Sequence, residues 1–172
     1  MNSVISRNIV KFIVLVLVQS LILNNINFLG YINPYIYILF IILFPIKNNR
    51  LLFILISFIL GLTLDMFLDS GGVHAAASVT IAYIRPIVLK FAFGATYEHQ
   101  TVKFSSTEFG QRFSYFSILI LIHHLLVFSL EIFNTSQIIL ILKKSLFSGI
   151  FTLILCLLLT VLFSRKSKWE NY

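Results

Sequence analysis

Long apolar runs rich in Ile, Leu and Phe recur along the whole of this chain, separated by short polar stretches. A soluble domain must turn a polar surface to water, and roughly a quarter of its residues are charged. Here 11% of 172 residues are charged and 59% are hydrophobic. Such a sequence cannot cover a globule of its own size, so its natural solvent is lipid. The runs repeat throughout, which excludes a single anchor on a soluble domain.

A helix crosses a hydrocarbon core of roughly 30 Å with about 20 residues. The sequence predicts six spans, at approximately 9–29, 31–46, 51–68, 72–93, 113–133 and 145–163, with a polar loop at 94–112. The second opens with Asn33-Pro34, an N-cap residue followed by a proline suited to the first helical position. It is short, reaching about 24 Å as a helix, and a re-entrant hairpin is the competing reading. The charges decide between them, because cytoplasmic ends of spans collect Lys and Arg. With six crossings and the N-terminus inside, Arg7, Lys11, Lys47, Arg50, Arg85, Lys90, Lys103, Arg112, Arg165, Lys166 and Lys168 lie inside, and Lys143 and Lys144 outside. That is 11 against 2; without the second crossing the best orientation gives 9 against 4. The expectation is a plasma-membrane protein of six crossings with both termini cytoplasmic. The piece 137–142 is expected to lie along the outer interface before the last span.

The net charge of +7 is explained by the same asymmetry, and no basic run interleaves with aromatics as a nucleic-acid surface would require. The N-terminal apolar stretch lacks a small-x-small cleavage site and reads as an uncleaved span. The single cysteine, Cys156, lies in an apolar run with no partner for a disulfide or a metal site of usual spacing. No cofactor is expected.

Ionisable groups within spans are costly unless paired, so they are the natural candidates for function. Asp65 and Asp69 are four apart and share a helix face. They could do acid/base work or hold a cation. The structural reading has Asp69 capping the next helix through Ser70-Gly71-Gly72 while Asp65 bonds to nearby backbone. Gly71, Ala75, Ser78 and Ala82 make one small-residue stripe, which lets helices approach closely, within the chain or against a partner's helix. Arg85 is expected to reach the cytoplasmic headgroups, and Pro86 to kink or end its helix. His123 and His124 fall mid-span. Adjacent helical residues point about 100° apart, so the pair is poorly placed to share one metal and is expected to be neutral and bonded to another helix. His74 is placed near the outer surface. The motifs of intramembrane serine, di-acid and zinc proteases are absent from the sequence, as is a phosphate-binding loop.

Two local patterns resemble the MreD family, the small membrane subunit of the bacterial rod-shape machinery. One is Asn33-Pro34-Tyr35-x-Tyr37 with an apolar run to Pro45. The other begins at Gly61, passes through Asp65, Asp69, Gly71, Gly72, His74 and Ala75, and continues to Ala82-Tyr83-x-Arg85-Pro86. Their order and spacing, together with chain length and span count, look like the Bacteroidetes-type version. The resemblance implies an all-α six-helix transmembrane bundle similar to the substrate-binding subunits of energy-coupling-factor vitamin transporters. It implies no catalysis, and partners in the bitopic scaffold MreC and, through it, the MreB filament and the peptidoglycan synthases. The residues it singles out are packing or partner-interface candidates: Gly61, Asp65, Asp69, Gly71, Gly72, Ala75, Ser78, Ala82, Arg85 and Pro86, with Asn33, Pro34, His123 and His124 secondary. The alternative is a vitamin-binding subunit, which needs a polar, aromatic pocket open to the outside, where a scaffold needs a packed interior.

Overall fold

The structure, a computed structural model, describes residues 2–26, 32–46, 49–94 and 107–166. Most of the loop expected at 94–112 therefore lies outside the described residues. The described chain is all helical: α1 (Asn2–Leu21), α2 (Ile38–Leu43), α3 (Arg50–Leu68), α4 (Val73–Phe93), α5 (Phe109–Ile132) and α6 (Ile138–Lys166), with short 3-10 turns at Leu23–Asn25 and Thr135–Gln137. Five of these helices are long and apolar enough to cross a membrane. This is a multi-pass membrane protein.

Helices α3, α4, α5 and α6 pack as consecutive antiparallel neighbours, and α1 lies against α3. Exposed side chains are those expected of a lipid-facing belt: Ile9, Ile13 and Leu17 on α1, Leu55, Ile59 and Leu62 on α3, and Leu146, Ile150 and Leu158 on α6. Helix α6 begins at Ile138 rather than Ser145, so the piece expected along the interface is its first turn. Of the two lysines counted outside, Lys144 faces Glu131 across a 3.8 Å ion pair, which offsets its charge.

The second crossing differs most from expectation. Only Ile38–Leu43 is helical, yet the segment does traverse the bundle. At one end the Pro34 carbonyl accepts from Gln19 Nε2 near the end of α1, at 3.0 Å. At the other, Phe44 stacks on Phe53 near the start of α3, with centroids 4.8 Å apart. The segment thus runs antiparallel to α1 and α3. It is enclosed on every side: no residue from Tyr35 to Ile42 is more than 6% exposed. Phe44 precedes Pro45, which pushes it into extended backbone (φ −60°, ψ 141°) and ends α2.

Unwound backbone survives at membrane depth only where protein satisfies its polar groups, and here side chains do so. The amides of Asn33 and Tyr35 donate to Ser148 Oγ (3.1 Å) and Thr152 Oγ1 (3.0 Å) of α6. The Ile42 carbonyl accepts from both Arg85 and Tyr115, each at 3.1 Å. Arg85 also donates to the Phe44 carbonyl. Polar residues scattered over four long helices thereby hold one broken crossing in place.

Candidate functional site

The candidates gather at three levels around that central segment. Toward the α3–α4 turn, Gly61 lies against α4: a Cβ placed on it would come within 2.4 Å of the His74 carbonyl oxygen and 2.5 Å of Ala75 Cα. Only a glycine permits that approach. One turn further on, Asp65 is 5% exposed and its two oxygens accept from the amides of His74 (2.9 Å) and Ala75 (2.8 Å). Ser70 Oγ donates to the same carboxylate. The first amides of a helix lack internal partners and carry the positive end of its dipole, so a carboxylate there is stabilised by both. Gly72, the residue before α4, sits at φ +96°, which a residue with a Cβ rarely adopts.

Asp65 bonds to backbone as expected, but the capping role expected of Asp69 falls to it. Asp65, reaching across from α3, caps α4. Asp69 does not: it ends α3 in left-handed conformation (φ 51°) and is exposed. Gly71 lies in the exposed turn. The remainder of the small-residue stripe, Ala75, Ser78 and Ala82, is buried within the bundle, and Ala75 is the residue that meets Gly61.

At the middle level, the Tyr37 hydroxyl lies 2.6 Å from His123 Nε2 and 2.9 Å from His74 Nδ1. One hydroxyl carries one proton, so it donates to one imidazole and accepts from the other, or accepts from both. His123 and His124 diverge as expected of adjacent helical residues. His124 Nδ1 donates to the Ile120 carbonyl at 2.8 Å, leaving Nε2 to accept from Thr152 at 3.0 Å. Thr152 in turn accepts from the Tyr35 amide, so donors and acceptors balance along this chain with a neutral ring. The Tyr35 ring packs edgewise on His74 (5.2 Å between centroids) and tilted on His124 (5.4 Å). His74, the second residue of α4, is 3% exposed and is a member of this centre. Among the described residues no group of three or more His, Cys, Asp or Glu could hold a metal ion.

At the third level sits Arg85, 3% exposed. It does not reach for headgroups. Its Nε donates to the Tyr115 hydroxyl at 2.8 Å, its Nη2 to the Ile42 and Phe44 carbonyls, and its guanidinium lies 5.0 Å from the Phe53 ring centroid. The planar fork of arginine suits several acceptors at fixed angles. Pro86 neither ends nor breaks α4 into two elements; the helix continues to Phe93.

Asn33 and Pro34 open the broken crossing through their backbone bonds rather than starting a helix. Tyr115, Ser148 and Thr152 are the side chains of this network that the sequence reading did not single out, and Tyr37 entered it only within the Asn33-Pro34-Tyr35-x-Tyr37 pattern. Their shared signal is polarity inside apolar spans, with Ser148 and Thr152 four apart on one face.

Chemically, these three levels present acceptors and donors to one another inside a packed interior: Asp65, Tyr37, His74, Arg85, His123 and His124 are all buried. The arrangement ties α3 to α4 and both to the central segment. No family model matches this chain, and neither a curated protein nor a solved structure matches it.

Proposed function

We propose that the chain is a non-enzymatic membrane scaffold of the MreD type, serving the rod-shape machinery by binding an MreC-type bitopic protein within the bilayer. The proposed setting is the plasma membrane, with both termini cytoplasmic. The observation that carries the reading is the filled centre. Residues Tyr35 to Ile42 occupy the axis of the bundle with at most 6% exposure, where a vitamin-binding subunit would need an open polar pocket. The motifs around Asn33 and Asp65 support it from the sequence side.

Because Asp65, Ala75, Ser78 and Ala82 face the interior, the partner's helix would meet other residues. Exposed positions on the same two helices include Met66, Phe67, Tyr83, Ile87 and Phe91. A photo-crosslinking residue placed at each, in the living cell, tests the reading. The expected product is an adduct with a single-span protein at a contiguous subset of positions. Retention of a stoichiometric small molecule by the purified chain, with no protein adduct at any position, would refute it.

A further inference from the structure

Beneath the first turns of α6, the α5 and α6 helices part to leave a groove of about 280 Å³, lined by residues that include Ser117, Ile120, Leu146, Gly149, Ile150 and Leu153. Its lining is apolar, and it opens to the surroundings: Leu146 is 52% and Ile150 48% exposed. Gly149 keeps the floor low, since the nearest neighbour a Cβ would meet there is Ile120 Cγ2, at 3.9 Å. A larger side chain at this position would take up groove space without striking backbone.

The charge above the groove identifies its occupant. Lys143 is exposed and shares a helix face with Leu146 and Ile150, three and seven residues on. Its neighbour Lys144 points elsewhere, to Glu131 at 3.8 Å and over the Phe128 ring at 5.4 Å. Glu131 is thereby engaged, and Lys143 has no acidic partner among the described residues. A cation at the top of a lipid-facing strip calls for an anion supplied from the bilayer. From Lys143 to Leu153 the helix rises about 15 Å, which is half of a hydrocarbon core of roughly 30 Å, the depth of one leaflet.

We propose that this is a binding site for an anionic phospholipid, its phosphate on Lys143 and one acyl chain along the α5–α6 groove, in the leaflet on the side of the α3–α4 turn. The inference is independent of the scaffold reading. A neutral, zwitterionic lipid would fill the groove equally well but would not satisfy the lysine, so headgroup preference is the diagnostic property.

The test uses the full chain in mild detergent with added dioleoyl phosphatidylglycerol or dioleoyl phosphatidylcholine, and counts bound lipids by native mass spectrometry. Phosphatidylglycerol should be retained about fivefold more, the factor that corresponds to roughly 1 kcal/mol for one lysine beside an anionic headgroup. Lys143→Gln, a surface change, should lower that preference, with retention of phosphatidylcholine unchanged. Gly149→Leu should lower retention of both lipids, with a thermal melt confirming that the variant is folded. Equal retention of the two lipids by the wild type, or an unchanged preference in Lys143→Gln, would overturn the proposal. So would a folded Gly149→Leu that keeps its lipids but loses a co-purifying protein, which would make the groove a seat for a partner's helix.

Discussion

Removing the carboxylate of Asp65 measures what the α3–α4 junction contributes to stability. In Asp65→Ala the amides of His74 and Ala75 lose their acceptors, at 2.9 and 2.8 Å, in a buried setting. Ser70 loses its partner as well. A hydrogen bond to a charged group contributes about 1.5–3 kcal/mol. With partial relaxation of the turn, we take the lower end for the two amides together, about 3 kcal/mol. For a chain of this size each kcal/mol moves the melting temperature by roughly 2–4 °C, so the variant should melt about 6–12 °C below the wild type. The assay is built into the protein. Cys156 is the one cysteine and is fully buried, so a thiol-reactive fluorophore lights up only on unfolding. Asp65→Asn keeps an acceptor but loses the charge, and should fall between the two. If Asp65→Ala melts within about 2 °C of the wild type, the cap is not a stabilising contact and the account of this junction fails. Reduced amounts of folded protein in the cell are the corollary, in place of normal levels with a selective loss of partner binding.

Further substitutions probe the rest of the bundle. Arg85→Met takes the guanidinium donor from the Phe44 carbonyl, at about 1–3 kcal/mol for a buried unsatisfied group, while the Ile42 carbonyl keeps the Tyr115 hydroxyl; fluorescence-detected size exclusion should show a larger aggregated fraction than the wild type. Arg85→Lys should rescue it only in part, because an ammonium cannot reproduce the fork. Gly61→Ala forces a Cβ to within 2.4 Å of the His74 carbonyl oxygen, and separating the helices should cost about 1–3 kcal/mol or more by thermal melting. Tyr37→Phe removes the hydroxyl between His74 and His123. It should lower stability by about 1–3 kcal/mol and speed hydrogen exchange in the α2 segment, whereas Phe58→Leu, an apolar exchange on the lipid-facing side of α3, should change neither.

The apolar runs, read against the thickness of a bilayer, fixed the class of this protein and the placement of α3, α4 and α5 to within a few residues. Composition sufficed because lipid imposes one rule on every exposed position of a spanning helix. The candidate residues were legible as types for the same reason: an Asp, an Arg or a His inside an apolar span stands out. What each one does was not. Nothing local distinguishes Asp65 from Asp69 as the cap of α4, since that role depends on which carboxylate α3 carries across to the amides of His74 and Ala75. Arg85 lies at a depth from which it could reach headgroups, and only the approach of the Ile42 and Phe44 carbonyls turns it inward.

The second crossing shows the division most clearly. Charge balance along the sequence calls for a crossing there, and the segment does traverse the bundle. That it does so mostly unwound was decided by contacts more than a hundred residues away, from Ser148 and Thr152 to the amides of Asn33 and Tyr35. Hydrophobicity is a property each residue carries with it, so the sequence alone states which parts enter the membrane. Hydrogen-bond satisfaction is a property of pairs, so the tertiary structure alone determines where a helix is needed and where other side chains take its place.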